Sequence, residues 1–439
     1  MAEITATVPK PTWMDGNNLD EVQFCKEFRE KYPIKCVYRR FFTPDGLISD
    51  EEELKKRIYD LLKPHIKSNL TKRVNSLMEL LRIECHSEEF PIQLDRIHVA
   101  NGTLFLDGRF TEEKEFCRNR LPVAYHPGCP KPKLWLKFLS ELLEPEDILT
   151  LQEYMGYCLI PSTKAQKMLI ILGNGGEGKS RIGLIMGKLL GAALLTSSIQ
   201  KIETNRFARA DLEYILVVID DDLELIALPK TSILKTLITA EGKIDMERKG
   251  EQSYQRQPYT KIIGFGNGAL TAQNDQSLGF YRRQLVLYTK APAPGRKNDP
   301  YLVEKMVPEL EGIFLWCLEG LQRLLKNNYQ FTVSKKAEEN VCAIQQNVNN
   351  VEAFLQSTGY IAFDLLGSAS SKDLLDLYRQ FCMENAYQPV RDRTFSSEMS
   401  RLAEKYHLRY TNNIYLSDNR RVRGYEGVRI LFRPIIKGQ

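Results

Sequence analysis

A glycine-rich stretch near the middle of the chain constrains the fold more than any other feature. It follows the apolar run 168–172 and precedes a segment, 181–190, whose apolar residues recur at helical spacing. A strand, a glycine loop and a helix in this order are typical of a phosphate-binding loop, because backbone N–H groups can turn towards phosphate oxygens. The loop consists of Gly173, Asn174, Gly175, Gly176, Glu177, Gly178, Lys179 and Ser180.

The end of this loop carries side chains suited to ATP and Mg²⁺. Lys179 is expected to reach the β- and γ-phosphates, and the Ser180 hydroxyl is expected to hold Mg²⁺. Arg181, which opens the helix, is counted with the residues expected to bind the nucleotide. The alternative is a glycine-rich turn that carries Lys-Ser by chance, but the flanking strand and helix favour nucleotide binding.

Composition limits the class of protein without naming it. The chain has 439 residues, enough for two or three domains with their own cores, and 27% of them are charged. A formal net charge of +5 permits a nucleic-acid surface without requiring one. Because the N-terminus lacks a secretory pattern and no apolar run approaches about 20 residues, we expect a soluble cytoplasmic protein with no membrane partner.

Cysteine usage indicates reduced thiols. There are nine cysteines and no CxxC pair, which is typical of a cytosol-like compartment. His126 and Cys129 form an isolated HxxC with no second ligand pair nearby in the sequence. The sequence therefore predicts no zinc site.

Polar residues follow two further apolar runs. The run 214–219 ends in Asp220, Asp221 and Asp222, and the run 261–266 ends at Asn267. Carboxylates at the end of a buried strand are typical of a Walker B site, which holds Mg²⁺ and orients the attacking water. Asn267 could sense the γ-phosphate. A solvated acidic turn and an Asn-Gly turn are the alternatives.

Basic residues occupy two more positions of interest. Arg282 and Arg283 precede a fourth apolar strand, 284–288, and arginines commonly stabilise charge on a transferring phosphoryl group. Arg248 and Lys249 lie at the tip of an expected β-hairpin, 243–254, where they could contact DNA. Ordinary surface side chains are the alternative in both cases.

The last hundred residues predict a separate unit. Helices are expected around 374–382 and 395–406, followed by strands at 410–416 and 427–432. This is the order of a winged helix, whose second helix enters a major groove while its wing contacts phosphate. A protein-binding winged helix is the alternative, but the segment 419–424 favours DNA because it carries Arg420, Arg421 and Arg423.

Taken in order, these residues resemble the superfamily 3 helicases, specifically the phage- and plasmid-type primase-helicases related to the poxvirus replicative helicase-primase. The resemblance covers most of the chain from about residue 51 to residue 432. It is carried by the segment 151–157 ahead of the glycine loop, by 219–222, Leu234-Lys235, 240–250, Asn267 and Arg282-Arg283.

The resemblance implies an α/β fold with an AAA+ P-loop core that assembles into a hexameric ring, with ATP sites between subunits. Asp221 and Asp222 look like the Walker B pair, and Asp220 is an alternative metal ligand. Asn267 would be the sensor, and Arg282 or Arg283 the finger that reaches a neighbour's γ-phosphate. Lys249 would grip single-stranded DNA during 3′ to 5′ movement.

Two departures from this family are visible. Many relatives have asparagine where this chain has Glu177, and the sensor asparagine is followed here by Gly268-Ala269-Leu270 rather than by a Leu-Pro-type turn. Four regions are expected: a lead-in of unclear role (1–50), a mainly helical domain with a short hairpin (51–150), the ATPase domain (151–330) and a winged-helix domain (331–439).

The expected activity is that of an ATP-dependent replicative DNA helicase of a phage, plasmid or other mobile element, acting on single-stranded and forked DNA. We expect no primase active site in this chain, since fifty residues ahead of the helical domain are too few, and a separate primase or polymerase is the expected partner. The alternative is an ATP-dependent initiator or loader that leaves unwinding to another protein.

Overall fold

The computed structural model describes residues 10–16, 18–223, 228, 230–250, 252–272, 278–296, 298–348, 350–385, 387, 389–415 and 420–431. Backbone contacts divide the chain into two units. The first consists of Met1–Leu225, Lys230–Leu270 and Arg283–Ala337, and the second of Ile226–Pro229, Thr271–Arg282 and Glu338–Gln439. Asn419 of the expected wing and the expected strand ends Leu416 and Phe432 lie outside the described residues.

The amino-terminal part of the first unit alternates short strands and helices. Its elements are β1 (Met14–Asp15), β2 (Asn18–Leu19), α1 (Glu21–Lys31), β3 (Lys35–Val37), β4 (Arg40–Thr43), β5 (Gly46–Leu47), α2 (Glu51–Leu62), α3 (Leu70–Glu84), β6 (Arg96–Val99), β7 (Gly102–Phe105) and β8 (Phe110–Thr111). The helices and the short hairpin expected in the region 51–150 are present as α2, α3 and the antiparallel pair β6–β7, which turns at Asn101-Gly102.

The first fifty residues, where the sequence indicated little regular structure, help to build a core. Trp13, Phe24 and Phe28 are buried in one apolar cluster with side chains of α2 and α3, such as Ile58 and Leu77. Asp20 stabilises the start of α1, because its carboxylate accepts a hydrogen bond from the Gln23 backbone N–H at 2.9 Å. Residue 50 is therefore not a boundary between separately packed regions.

The middle of the chain builds the central sheet and the helices around it. In chain order these are α4 (Lys133–Leu142), α5 (Pro145–Tyr157), β9 (Met168–Leu172), α6 (Ser180–Leu190), β10 (Leu194–Thr196), α7 (Ile199–Thr204), α8 (Arg206–Ala210), β11 (Val217–Asp220), α9 (Ser232–Thr239), β12 (Ile244–Met246), β13 (Tyr254–Arg256), β14 (Lys261–Gly266), α10 (Leu278–Tyr281), β15 (Gln284–Tyr288), α11 (Leu302–Met306) and α12 (Leu310–Lys326).

Five of these strands form one parallel sheet in the order β10-β11-β14-β9-β15. Every residue of β9 and β14 is buried, which explains why both read as continuous apolar runs. The α/β class and the strands expected at 168–172, 261–266 and 284–288 are confirmed. The core of this sheet also contains side chains of α4, α5, α6 and α12.

One expected strand begins later than its apolar run. The run starts at Tyr214, but Tyr214 has a φ of 65°, a left-handed conformation that a strand does not contain. β11 therefore starts at Val217 and includes Asp220 as its last residue.

The second unit has a three-stranded antiparallel sheet and its own core. The remaining elements of the chain are α13 (Lys335–Val348), α14 (Asn350–Gln356), β16 (Ile361–Ser370), α15 (Ser371–Glu384), α16 (Asp392–Ala403), β17 (Arg409–Tyr415) and β18 (Arg421–Ile430). The sheet order is β16-β18-β17, and its core includes Phe354, Tyr378 and Met399. β16 had no counterpart among the expected strands.

The position of the wing arginines differs from expectation. The last strand was expected to begin at residue 427, which would leave the arginines in a loop. It begins at Arg421, so that Arg421 and Arg423 are exposed strand residues, and only Arg420 precedes it. In the part of the chain that the structure describes, no helix combines the length and apolar character needed to cross a membrane.

Candidate functional site

The glycine loop leaves the carboxyl end of β9, a central strand of the sheet. Gly175, Gly176 and Gly178 have φ values of 104°, 81° and 101°, which side-chain-bearing residues rarely adopt. α6 begins at Ser180, the last residue of the loop, and the side chain of its N-cap residue, Lys179, does not cap its amino end. The loop therefore presents backbone N–H groups beside the positive end of a helix dipole, the arrangement that binds anions.

Lys179 lies inside this loop rather than in solvent. Its ammonium group is 3.0 Å from Oε2 of Glu177, and the Gly175 backbone N–H donates to the same oxygen at 3.0 Å. Both charged side chains are buried, with 9% and 4% of their surface exposed. Burial by itself raises the pKa of Glu177. Hydrogen bonds from Lys179 and from backbone N–H groups lower this pKa by more, so that it lies below its ordinary value.

The contacts of the Glu177 carboxylate show what kind of chemical group the loop can bind. It receives the lysine ammonium and one backbone N–H of the loop, the same donor types that cradle a phosphate. The loop residues thus fit an anionic group with oxygen acceptors.

The strand register brings further expected residues to the same edge. Leu172 pairs with Gly266 on one side and with Tyr288 on the other. The Gly173 N–H bonds the Gly266 carbonyl at 3.1 Å, which places Asn267 next to the glycine loop. Ligands of open α/β sheets bind outside this carboxyl edge.

The acidic residues also follow the carboxyl end of their strand. Asp220 is buried, and its Oδ2 accepts from the Ile199 N–H at 2.7 Å. Asp221 and Asp222 are exposed, and the next residue, Leu223, bonds the Phe265 carbonyl at 2.8 Å. Asp220 therefore supports the start of α7, whereas Asp221 and Asp222 face solvent beside the end of β14.

Gly173 is the tightest point of the loop. A Cβ atom there would lie 2.1 Å from Oγ1 of Thr289, 3.0 Å from the Lys179 ammonium and 3.1 Å from the Glu177 carboxyl carbon. Replacing Gly173 by alanine is expected to displace Lys179 and to weaken the nucleotide binding that the sequence predicts at least about tenfold, measured by titration with a fluorescent ATP analogue. Gly187→Ala is the matched control, because its Cβ would meet nothing within 4 Å. Equal binding by both variants would contradict the prediction.

The sequence did not indicate two residues that lie near the loop. Thr289 donates its backbone N–H to the Leu172 carbonyl at 2.8 Å, and Arg296 has a guanidinium nitrogen 3.5 Å from a Cβ built on Gly178. Both belong to the connector after β15, which has no periodicity to point to them. Arg181, expected to bind the nucleotide, bonds Oδ1 of Asn298 at 2.7 Å and thereby ties the connector to α6, and another of its guanidinium nitrogens lies 3.0 Å from a Cβ atom built on Gly178.

Arg283 is not part of this edge. The Arg283 carbonyl accepts from the Met168 N–H at 2.8 Å, so Arg283 lies at the amino end of β9 and the glycine loop at its carboxyl end. The five residues of β9 separate them by about 15 Å. Arg282 is exposed and belongs to the second unit.

The tip of the β12–β13 hairpin contains two different kinds of basic residue. Lys249 is exposed. Arg248 is half-buried, pairs with the buried carboxylate of Glu213 and donates to the Tyr254 hydroxyl at 3.2 Å. Arg256 on β13 also pairs with Glu213, at 3.5 Å. Arg248 therefore anchors the hairpin, whereas Lys249 projects from it.

The arginines expected to contact DNA in the second unit, Arg420, Arg421 and Arg423, are exposed. Arg421 donates to the Asn412 carbonyl at 3.2 Å and to Oδ1 of Asn413, which ties the start of β18 to β17. Arg420 and Arg423 flank this contact. Three exposed guanidinium groups within four residues give this end of the sheet a local positive charge.

The described first unit is thus an α/β domain with a glycine loop at the carboxyl edge of its parallel sheet. Residues 22–144 match the family described as D5 N terminal like, and residues 171–283 match a family of unknown function, DUF5906. The second match extends from the end of β9 to Arg283 and so contains the whole glycine loop and Asn267. No curated protein matches the chain.

Solved structures share the fold at low sequence identity. An apo structure of the NrS-1 C-terminal region is 10% identical, with a TM-score of 0.52 over 92% of this chain and 98% of that one. An A-form apo structure of the same region is also 10% identical, with a TM-score of 0.51 over 93% and 99%. Residues 22–144 are therefore similar to the D5 N terminal like family, and the chain shares the fold of the NrS-1 C-terminal region.

Proposed function

We propose that this protein is an ATP-dependent replicative DNA helicase of the superfamily 3 (AAA+) type, from a phage, plasmid or other mobile element. The observation that carries the proposal is the buried contact of Lys179 and the Gly175 N–H with a carboxylate, inside a glycine loop at the end of a central parallel strand. A phosphate oxygen of ATP accepts hydrogen bonds from the same donors. The D5 N-terminal-like match supports a primase-helicase relative.

Each residue at the carboxyl edge then has a chemical role. Lys179 and the loop N–H groups bind the phosphates, and Asn267 senses the γ-phosphate by hydrogen bonding. Ser180 and Asp221 would hold Mg²⁺, with Asp220 as the alternative carboxylate, and the ion would neutralise charge on the phosphates. Asp222 completes the acidic pair beside β14.

The arginine finger requires a second copy of the chain. Because Arg283 lies about 15 Å from the glycine loop of its own chain, it cannot contact a nucleotide there. A ring in which Arg282 or Arg283 reaches the neighbouring subunit's γ-phosphate removes this difficulty, and a hexamer is the state we propose. Hydrolysis at one interface would then depend on the next subunit.

DNA contacts come from two places. Lys249 extends from its hairpin towards single-stranded DNA, and the order α14, β16, α15, α16, β17, β18 supports a winged helix in the second unit. α16 would enter a major groove, while Arg420, Arg421 and Arg423 contact phosphate. The protein would act in the cytosol, and primer synthesis would come from a separate primase or polymerase.

Strand displacement on forked DNA tests this function directly. The purified chain with ATP and Mg²⁺ is expected to separate the strands. Lys249→Ala is expected to weaken single-stranded DNA binding about tenfold. It should also make the slope of log affinity against log salt concentration shallower, by the equivalent of about one phosphate contact per subunit. Lys137→Ala, which removes an exposed lysine from α4, is the control. Binding and strand separation are measured by fluorescence anisotropy and gel analysis.

Three results are distinguishable in this experiment. Strand separation that requires ATP and Lys249 supports the helicase. ATP hydrolysis with DNA binding but without strand separation identifies an initiator or loader instead. An absence of ATP hydrolysis under all conditions contradicts both.

A further inference from the structure

We propose that His126, Cys129 and Glu311 form a Zn²⁺-binding site. The candidate ligand atoms of these three side chains all lie within 4.8 Å of one another. His126 Nδ1 is 2.9 Å from Oε2 of Glu311, and Cys129 Sγ is 3.0 Å from the same oxygen. The three side chains therefore already converge on one point.

A tight turn brings the first two ligands together. The Cys129 N–H bonds the His126 carbonyl at 3.1 Å, which closes a four-residue turn with Pro127 and Gly128 at its centre. The spacing that looked isolated in the sequence is thus a compact ligand pair. Glu311, 182 residues beyond Cys129, comes from the first turn of α12.

Separate contacts hold this turn against α12. A Cβ atom on Gly312 would lie 2.6 Å from the Pro130 carbonyl oxygen, so only glycine allows the helix to approach so closely. The carboxylate of Glu309 accepts from the Leu134 and Trp135 N–H groups, each at 3.0 Å. The carboxylates of Glu309 and Glu311, both at the start of α12, therefore contact the segment 126–135, and that of Glu311 belongs to the ligand cluster.

The donor set selects the metal. A thiolate, an imidazole and a carboxylate are ligands that Zn²⁺ accepts in tetrahedral sites, whereas Mg²⁺ and Ca²⁺ prefer oxygen ligands alone. His126 is exposed and Cys129 is partly exposed, so the ion reaches the site without unfolding and a water molecule completes the coordination. Binding releases the thiol proton of Cys129 and replaces its hydrogen bond to Glu311. The ion would fasten the 126–132 segment to α12.

Metal titration of the full chain tests this site independently of the helicase proposal. The protein is stripped with a chelator and titrated with Zn²⁺ against a chromophoric chelator, and Co²⁺ is used as a spectroscopic probe for thiolate ligation. We expect one Zn²⁺ per chain with a dissociation constant below about 1 μM. Cys129→Ser should lower the affinity about 100-fold or more and abolish the thiolate-to-Co²⁺ absorption.

Matched variants keep the result interpretable. Cys342→Ser removes an exposed cysteine elsewhere in the chain and should change neither signal. His126→Ala removes an exposed side chain and should lower the affinity like Cys129→Ser, with circular dichroism confirming that each variant folds. Zn²⁺ binding that is absent, unchanged by both ligand variants, or lost equally in Cys342→Ser would overturn the proposal.

Discussion

Replacing Lys179 by alanine is expected to lower the rate of ATP hydrolysis at least about 1,000-fold, because its buried ammonium shares the Glu177 carboxylate with the Gly175 N–H and would meet the phosphates at the same place. Lys179 is buried beside the loop N–H groups and would balance charge on the β- and γ-phosphates. The measurement is phosphate release at saturating ATP, with and without single-stranded DNA.

The control for this variant lies on the same helix. Lys188→Ala removes an exposed lysine two turns further along α6 and should leave hydrolysis unchanged. Because Lys179→Ala also leaves the buried carboxylate of Glu177 without its partner, the double variant Lys179→Ala/Glu177→Gln separates lost chemistry from lost stability. Turnover at the wild-type rate in a folded Lys179→Ala variant would remove the basis of the ATPase proposal.

A substitution of Glu177 alone provides a complementary measurement, the affinity for an ATP analogue. The Glu177 carboxylate accepts from the donors that a phosphate needs, so ATP bound as we propose would have to displace it from Lys179 and Gly175. Glu177→Gln removes this competing charge and should tighten ATP-analogue binding about tenfold, while Lys179→Ala weakens it. The two variants therefore move affinity in opposite directions, which a general loosening of the loop would not do.

The parts of the site that the sequence predicted are those encoded by local patterns. β9 and β14 are buried on both faces, so their residues form uninterrupted apolar runs, and the glycines between β9 and α6 mark a loop that needs positive φ. Once the strands are parallel, residues after their carboxyl ends must share an edge. That is why Asn267 and the glycine loop could be expected to meet.

The parts that were missed depend on contacts distant in sequence. Nothing local to Glu311 connects it to the HxxC turn, and nothing in the connector marks Arg296 as a neighbour of Gly178. The sequence did not predict β16, because its apolar residues do not alternate in step with its buried face. Leu365 and Leu366, for example, are almost fully exposed. Arg421 and Arg423 were expected between two strands because the last strand was expected to begin at residue 427, but they alternate along the exposed side of β18.

A buried lysine outside the glycine loop carries the second large prediction, which concerns stability and pH. Lys261, at the start of β14, is 3% exposed, and its ammonium donates to the carbonyls of Ile160 and, at 3.2 Å, Tyr259. Burial lowers the pKa of Lys261 to about 7, against a smaller opposite effect of Cys158. The folded protein therefore loses this proton well before the unfolded chain does.

The sign of the effect follows from which state binds the proton. Well below pH 7 the lysine is charged in the folded and in the unfolded protein, and the folded protein bears the full free-energy cost of burying that charge. Between pH 7 and about 10.5 the unfolded chain binds a proton that the folded chain does not, so the free energy of unfolding rises with pH. From pH 7.0 to 8.5 this one group should add about 1.5 kcal/mol.

Urea unfolding at pH 7.0, 7.5, 8.0 and 8.5 measures this contribution when wild type is compared with Lys261→Met. The variant keeps an unbranched side chain of similar length but cannot be charged, so its advantage over wild type should be largest at pH 7.0 and shrink by about 1.5 kcal/mol by pH 8.5. Stopping at pH 8.5 matters because burial raises the pKa of thiols such as Cys158 and Cys117, and these oppose the trend at higher pH. Lys243→Met, which removes an exposed lysine, should differ from wild type by the same amount at every pH. A stability difference between wild type and Lys261→Met that does not change over this interval would mean that Lys261 keeps its proton in the folded protein, held by the two carbonyls.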